Sequence, residues 1–203
     1  MRLHEHPNLP NPRRVAVFAH EKGLDIPRTE LNVLEGDHKK PDFLAKNPWG
    51  KVPVLELDNG DFISETQAIC RYLDETHPGG NLFGQNARER AAIDMWLRRI
   101  ELGFHSAVGA YFHHGTEGLG EQEAFQMKEW GLKNRELAEQ ELDLIEKGLG
   151  DRPYLAGENF SLADIWLIVS IDFAKMVGIE LTDKHPKLKA WQGRVSVRPS
   201  MAA

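Results

Sequence analysis

The fold is decided by one stretch of the chain, residues 47–69, which reads NPWGKVPVLELDNGDFISETQAI. Asn59-Gly60 between two short apolar runs predicts a β-hairpin, because both residues tolerate the positive φ that a tight turn requires. Pro53 opens the first strand of this hairpin, a position where a residue without an N–H group is tolerated. If the Val52–Pro53 peptide bond is cis, the backbone of Val52 is left free to pair with an extended ligand, as in β-augmentation.

A helix start follows the hairpin directly. Ser64 and Gln67 have the spacing of a capping box, which places Glu65 and Thr66 in a first turn whose N–H groups lack helical acceptors. Those donors and the helix dipole favour a bound carboxylate, the Thr66 hydroxyl adds a donor, and Glu65 could pair with an ammonium group. The segment therefore predicts a site for a small acidic, peptide-like molecule, with an ordinary capped surface helix as the alternative.

Short strands and helices alternate in the first part of the chain. We expect a strand at residues 1–5, a helix from about Pro12 to a stop at Gly23, and a strand at residues 29–33, before the hairpin and its helix. Residues 78–80, Pro-Gly-Gly, end that helix and mark a linker.

The pattern from residue 86 onward is helical throughout. Two apolar series recur at helical spacing, and residues 115–120 separate them; the series are Ala92, Met95, Trp96, Ile100 and Phe104, and Leu137, Leu142, Leu144 and Ile145. Ser161 and Asp164 form a second capping box, which gives Asp164 a structural role. The fold class is therefore predicted as α+β, with a βαβ-ββα domain over residues 1–79 and an all-α domain over residues 86–203.

Composition restricts the partners and the compartment. The 203 residues carry a net charge of −6, which argues against nucleic acid as the main partner. The single cysteine, Cys70, excludes an internal disulfide framework and fits a reducing compartment. Residues 1–6 contain no apolar signal segment, and no run approaches the ~20 apolar residues of a membrane span, so we expect a cytoplasmic protein that does not enter a membrane.

Taken as a set, the motifs resemble those of the cytosolic glutathione transferases over essentially the whole chain. They are PNPRRV at residues 10–15, EKG at 21–23, NPWGKVPVL at 47–55, SETQAI at 64–69, SLAD at 161–164 and Ala-Trp at 190–191. The resemblance implies a thioredoxin-like domain followed by a helical one, glutathione as co-substrate, no metal, and a homodimer. The dimer contacts would come from the helix containing residues 68–73 and from the helix around residues 95–99.

A glutathione enzyme must stabilise the thiolate of its substrate, because the thiolate is the nucleophile. The resemblance places Leu9 where theta, phi and tau members carry a serine. Leu9-Pro10-Asn11 is similar to the Thr-Pro-Asn loop of the bacterial nu class, in which the Asn amide approaches the sulfur. We therefore expect Asn11 to be the catalytic donor, with backbone N–H groups at the helix start as the fallback. The alternative for Asn11 is a turn residue that holds its own backbone.

The resemblance also implies contacts to the rest of glutathione. The γ-glutamyl head would bind at Glu65 and Thr66, and the cysteine backbone would pair beside Val52 and Pro53. His38, Lys39 and Lys51 would hold the glycine carboxylate, although a cationic loop of this kind is usually solvated surface. A second-substrate pocket is expected between the domains, lined by Leu9, Phe104, Tyr111 and Phe112. A metal site at His113-His114 is disfavoured, because adjacent helical residues point to different faces.

The sequence thus predicts a glutathione-dependent enzyme that conjugates small hydrophobic electrophiles or reduces disulfides and peroxides. The alternative is a glutathione-binding interaction protein without useful catalysis, which Leu9 in the serine position supports. A dithiol oxidoreductase of the thioredoxin type is excluded, because the chain has one cysteine. Cys70 lies among apolar helical residues and is expected to be a buried small hydrophobic side chain.

Overall fold

The computed structural model describes residues 1–117, 123 and 125–203, and its chain divides into two compact units. The first unit comprises residues 1–81 and 199–203, and the second comprises residues 82–198. The predicted loop at residues 115–120 lies partly outside the described residues.

The first unit contains a four-stranded mixed sheet with the strand order β2-β1-β3-β4. β1 and β2 are parallel, whereas the β1–β3 and β3–β4 pairs are antiparallel. This is the predicted βαβ-ββα plan, and the sequence prediction of the fold class is confirmed. The elements are β1 (Arg2–Glu5), α1 (Pro10–Glu21), β2 (Arg28–Glu30), α2 (Pro41–Leu44), β3 (Val54–Glu56), β4 (Phe62–Ser64) and α3 (Thr66–Thr76).

The helix α1 forms in the predicted region, although it begins at Pro10, two residues before the predicted start at about Pro12. Pro10 occupies the first helical position. A backbone N–H at that position would have no acceptor within the helix, so proline costs no helical hydrogen bond there. Val15 and Phe18 are fully buried, and Gly23 ends the helix with φ of 67°, a conformation that glycine adopts without a steric penalty. The strand at residues 29–33 is shorter than predicted and begins one residue earlier, because only Arg28–Glu30 pairs with β1.

The hairpin of β3 and β4 is confirmed. Leu55 lies opposite Ile63, and the Leu57 N–H donates to the Asp61 carbonyl at 2.9 Å to close the turn. Gly60 adopts φ of 87°, which accounts for the glycine, whereas Asn59 does not adopt a positive φ and instead accepts from the Asp61 N–H at 3.0 Å through its Oδ1.

The predicted capping box at Ser64 is wrong. Ser64 remains in β4 opposite Val54, and the chain leaves the sheet at Glu65, which has φ of 71° and is the N-cap of α3. No side chain caps this helix start. Sheet pairing therefore holds Ser64 in an extended conformation and delays the helix, and the first turn is more open than a capping box would leave it.

The second unit consists of helices, the longest of which has 22 residues. A π-helical segment at Ile100–His105 joins the first two helices without a break. Residues 162–171 of the fourth helix are all buried, so this helix forms the core. The helices are α4 (Ala87–Arg99), α5 (Ser106–Gly115), α6 (Lys128–Leu149), α7 (Leu162–Met176) and α8 (Pro186–Ser196). No helix within residues 1–117 and 125–203 is long and apolar enough to cross a membrane.

The capping box of α7 forms as predicted. Asp164 is fully buried, and its carboxylate accepts from the Leu155 N–H at 3.0 Å, the Ser161 N–H at 2.9 Å and Trp191 Nε1 at 2.8 Å. Burial raises the pKa of Asp164, and these hydrogen bonds act in the opposite direction. Asp164 is therefore a structural residue that joins α7, α8 and the loop before α7.

Two parts of the predicted organisation need correction. Met95, Leu137 and Leu144 are 41%, 37% and 61% exposed, because each lies off the stripe that Trp96, Ile100 and Phe104, or Leu142 and Ile145, bury. Residues 199–203, assigned by the sequence to the helical domain, instead belong to the first unit. There the Ser200 hydroxyl donates to the Glu21 carboxylate at the end of α1.

Candidate active site

The register of the sheet brings the predicted glutathione-binding segments together. Val54 lies opposite His4 of β1 on one side and opposite Ser64 of β4 on the other. The residues that precede β3 therefore meet, at one edge of the sheet, the residues that follow β1 and β4. Val52 consequently lies between the loop that leads into α1 and the start of α3.

The backbone of Val52 is available to a ligand. The Val52–Pro53 peptide bond is cis, and neither the N–H nor the C=O of Val52 has a hydrogen-bond partner in the described part of the chain. Asn47, which is buried, holds the preceding loop: its Nδ2 donates to the Lys51 carbonyl at 2.8 Å and its Oδ1 accepts from the Trp49 N–H at 3.2 Å. Such a held, unpaired backbone suits an extended peptide.

The start of α3 presents donors and one carboxylate. The first helical hydrogen bond runs from the Ile69 N–H to the Glu65 carbonyl, so the Thr66 N–H precedes the ladder. Thr66 is 8% exposed, and its hydroxyl bonds to none of the residues that the structure describes. Glu65 is exposed and, within the same residues, forms no ion pair; its φ of 71° with ψ of 117° is a sparsely populated conformation that costs about 1–3 kcal/mol. Donors and a free carboxylate thus lie at adjacent positions, as an α-amino acid head group requires.

The lysines in and near the cationic loop around His38 differ in whether they form ion pairs. Lys40 pairs with Asp37 at 2.6 Å, whereas Lys39 and Lys51 form no ion pair with any described residue. Lys39 Nζ approaches the Gly50 carbonyl at 3.5 Å, beside Lys51. Gly50 has φ of 57°, and a Cβ there would lie 3.0 Å from the His38 carbonyl, so only glycine allows this approach.

The imidazole of His38 lies within the field of both lysines. Burial lowers the pKa of His38, and the charges of Lys39 and Lys51 lower it further, so the ring is neutral at pH 7. Its Nδ1 is buried without a hydrogen-bond partner. Two unpaired ammonium groups beside an unsatisfied imidazole nitrogen suit a bound carboxylate.

The start of α1 provides fewer backbone donors than the sequence analysis assumed. Pro10 and Pro12 have no N–H group, and the Arg13 N–H donates to the Leu9 carbonyl at 3.1 Å. The Asn11 N–H is therefore the one unused backbone donor among residues 10–13. The expectation of several fallback donors is corrected, because prolines occupy two of these four positions.

The amide of Asn11 has a defined orientation. Its Oδ1 accepts from Arg14 Nη1 at 2.7 Å, and because a guanidinium can only donate, the oxygen must face Arg14. Asn11 is exposed, and its Nδ2 bonds to nothing in the described chain. Asn11 thus offers both its side-chain NH₂ and its backbone N–H to a ligand.

Cys70 is buried, as expected, and burial raises the pKa of its thiol far above the usual range. The thiol is therefore protonated at neutral pH and unsuited to nucleophilic attack. A reactive sulfur at this site has to come from the ligand.

The residues predicted for the second substrate differ in their exposure. Phe104 is fully buried in the core of the second unit and has no surface for a ligand. Tyr111 is 9% exposed, and its hydroxyl accepts from Arg135 Nη1 at 2.9 Å. Phe112 and Leu9 are half-buried, and the Phe112 ring packs against Phe173 with centroids 5.2 Å apart. Leu9 is the N-cap of α1 and provides no side-chain hydrogen bond there.

The two adjacent histidines make separate contacts. His113 pairs with Glu123, and His114 Nδ1 accepts from the Met127 N–H at 3.4 Å. Among residues 1–117, 123 and 125–203, no group of three or more His, Cys, Asp or Glu side chains could hold a metal ion.

Sequence reasoning missed the roles of two buried polar residues. Asn47 and Arg14 both lie in the quoted motifs, yet their importance depends on the carbonyl groups that they contact. Arg14 follows Asn11 by three residues, a spacing that places two helical side chains on one face. That spacing was the available signal for their contact.

Comparison with known proteins agrees with this geometry. The family model for the glutathione S-transferase N-terminal domain matches residues 10–76, and the model for the C-terminal domain matches residues 107–199. Glutathione S-transferase 2 of Saccharomyces cerevisiae is 41% identical over 99% of this chain and 88% of its own length.

Solved structures agree as well. A glutathione S-transferase domain-containing protein from Marinobacter aquaeolei is 39% identical, with a TM-score of 0.94 over 99% of this chain and 100% of its own. A glutathione transferase homologue from Sulfitobacter, solved with bound glutathione, is 25% identical, with a TM-score of 0.84 over 99% of this chain and 94% of its own. With both domain models matched and relatives aligned over nearly its whole length, this chain belongs to the glutathione S-transferase family.

Proposed function

We propose that this member of the family is a glutathione-dependent enzyme that reduces disulfides and peroxides faster than it conjugates aryl halides. The observation that carries the proposal is the start of α1, where Leu9 provides no hydroxyl and Asn11 alone presents unused donors. The relatives named as glutathione S-transferases support glutathione as the thiol substrate.

Glutathione has two carboxylates, one ammonium group and a peptide backbone, and the first unit has a matching group for each. The γ-glutamyl head would bind the donors of Thr66 and the carboxylate of Glu65. The cysteine residue of glutathione would pair with the backbone of Val52, next to Pro53. The glycine carboxylate would be held by Lys39 and Lys51, with His38 beside them.

The sulfur would lie near the start of α1, where Asn11 stabilises the thiolate with its amide and its backbone N–H. In disulfide reduction this thiolate attacks the glutathione sulfur of a glutathionyl mixed disulfide. A new S–S bond forms, the other sulfur leaves as a thiolate, and oxidised glutathione is released. A disulfide sulfur is a good electrophile with a good leaving group, so this reaction demands less activation than substitution on an aryl halide does.

The proposal is tested by measuring kcat/KM with a chloronitrobenzene and with a glutathionyl mixed disulfide in parallel. We expect the disulfide to be the better substrate, and Asn11→Ala to lower its turnover by about 10- to 100-fold, the scale of one lost donor to a developing charge. Asn11→Asp is the matched control: it keeps an oxygen for Arg14, removes the side-chain donor and adds a negative charge, so it should be slower still. Fast aryl-halide conjugation by the unchanged protein would refute the proposed preference.

A non-catalytic glutathione-binding protein is the second candidate, and the apolar Leu9 is the observation that favours it. The same assays distinguish the two. Calorimetric binding of glutathione with no turnover above the uncatalysed rate, for either substrate, would establish the binding protein instead.

We further propose a homodimer located in the cytoplasm. Apolar side chains exposed on the helical unit support the dimer. They include Met95 on α4 and Leu102, whose side chain on the π-helical segment is 69% exposed. The cytoplasm is proposed because a glutathione-dependent reductase needs a reducing thiol pool. For the second substrate we propose a small hydrophobic electrophile or a disulfide, with the half-buried Leu9 as its contact on the first unit.

A further inference from the structure

A buried guanidinium lies beneath the start of α1. Arg14 is 1% exposed, although arginine is among the residues that are almost never fully buried unless they are paired. Its Nη1 donates to the Asn11 Oδ1 at 2.7 Å, the distance of a charge-assisted hydrogen bond. A buried charge is therefore attached directly to the residue proposed to activate the thiol.

This hydrogen bond restricts what the Asn11 amide can do. An asparagine amide can turn over by about half a revolution, which would exchange its oxygen for its NH₂ group. The Arg14 guanidinium contains no hydrogen-bond acceptor. In the turned-over orientation the Asn11 NH₂ group would therefore face the N–H groups of Arg14, and this orientation is disfavoured. The bond thus holds the NH₂ group on the side away from Arg14, and it polarises the amide so that Nδ2 is a stronger donor.

The positive charge of Arg14 already acts on one thiol in the molecule. Burial raises the pKa of Cys70, and the charge of Arg14 opposes that shift. The other charged group acting on Cys70 is Asp74, whose carboxylate is paired with Lys22 Nζ at 2.9 Å. The charge of Arg14 thus acts within the first unit, and the same charge polarises the Asn11 amide to which Arg14 donates.

We propose that Arg14 is a positioning residue for thiol activation, which holds the Asn11 amide with its NH₂ group toward the glutathione sulfur and strengthens that donor. The inference rests on the proposed role of Asn11. A purely structural Arg14 would affect folding and ligand affinity, but it would not change the ionisation of the bound thiol through Asn11.

The test measures the pKa of the bound glutathione thiol from the ultraviolet absorbance of the thiolate as a function of pH. The variants are Asn11→Ala, Arg14→Met, Arg14→Lys and the Asn11→Ala/Arg14→Met double variant. We expect Arg14→Met to raise the thiol pKa by about one unit and to lower kcat/KM for the mixed disulfide about tenfold at a pH below that pKa. Arg14→Lys keeps a donor and the charge without the planar fork, so its shift should be smaller.

The double variant decides whether Arg14 acts through Asn11. We expect its thiol pKa to equal that of Asn11→Ala alone, because the amide that Arg14 holds is then absent. An equal shift in both backgrounds would overturn the positioning role. Binding of S-methylglutathione, which has no ionisable thiol, should be unchanged in Arg14→Met, and a loss of that binding together with an unshifted thiol pKa would show a structural role only.

The two proposals fail in distinguishable ways. If Asn11→Ala leaves the thiol pKa unchanged, the proposed role of Asn11 is refuted. If Asn11→Ala shifts it and neither Arg14 variant does, only the positioning inference is refuted. Arg14→Lys, with thermal melting as the control for folding, keeps the test decisive if Arg14→Met does not fold.

Discussion

Lys39, Lys51 and Thr66 share one property: within the described residues, the two ammonium groups form no ion pair and the Thr66 hydroxyl forms no hydrogen bond. Lys40, one residue from Lys39, is paired with Asp37. Such groups suit a charged ligand, since no internal ion pair has to break when the ligand binds. At the scale of single residues, the site is therefore identified by pairing as much as by residue type.

The hydroxyl of Thr66 supports the first prediction. Thr66→Ala removes one hydrogen bond to a charged group of the ligand, and we expect the binding free energy of glutathione to weaken by roughly 1.5–3 kcal/mol. Thr66→Ser keeps the hydroxyl and is the matched control, with an expected loss below about 1 kcal/mol. Calorimetry measures both, and unchanged affinity in Thr66→Ala would remove this residue from the site.

His38 supports a prediction about pH. Its pKa is lowered in the free protein by burial and by Lys39 and Lys51, and a bound carboxylate would raise it again. Binding then takes up a proton, so the affinity for S-methylglutathione should strengthen as the pH falls from 7 toward the lowered pKa of free His38. His38→Gln should remove this pH dependence. The S-methyl ligand is used because ionisation of a free thiol would add an opposite dependence, and a flat profile for the unchanged protein would contradict the prediction.

Individual elements differ in how far their sequence determines them. The hairpin and α1 follow from local signals, namely Asn59-Gly60, the proline at the first helical position and Gly23. The start of α3 does not, because Ser64 has the local features of a helix cap and is held instead in the ladder opposite Val54. Lys39 and Lys51 could be named from motifs, but their lack of ion pairs depends on tertiary contacts. The same holds for the bond between Arg14 and Asn11.

The capping box of α7 supports a prediction at the scale of one element. Asp164→Ala would leave the Leu155 N–H and Trp191 Nε1 without acceptors in a buried region, and we expect the free energy of unfolding to fall by about 3 kcal/mol or more. Ser161→Ala removes only the capping hydroxyl and should lower it by about 1 kcal/mol. Urea unfolding followed by circular dichroism measures the two values. Equal losses would show that Asp164 contributes no more than a helix cap.

The whole molecule contains features that no local pattern encodes. Residues 199–203 follow the helical unit in sequence, yet they pack in the first unit, where Ser200 bonds to Glu21 at a separation of 179 residues. The exposure of Met95 belongs to the same scale. Helical periodicity groups Met95 with the buried Trp96. Only the packing of α4 determines which of these two adjacent side chains faces the core.

The exposed face of α4 supports the last prediction, which concerns assembly. If α4 contacts a second copy of the chain, a charge at Met95 would be buried in the interface without a partner, and such a burial strongly weakens association. We expect the unchanged protein to sediment at micromolar concentration with twice the 23.0 kDa mass of one chain, and Met95→Arg to shift it toward the single chain.

Met176→Arg is the control, because Met176 is 73% exposed at the end of α7, outside the predicted contact. Since the proposed glutathione contacts lie on the first unit, Met95→Arg should still bind glutathione. A single-chain mass for the unchanged protein would refute the dimer, and an equal shift in both variants would show that added charge, rather than the α4 face, caused the dissociation.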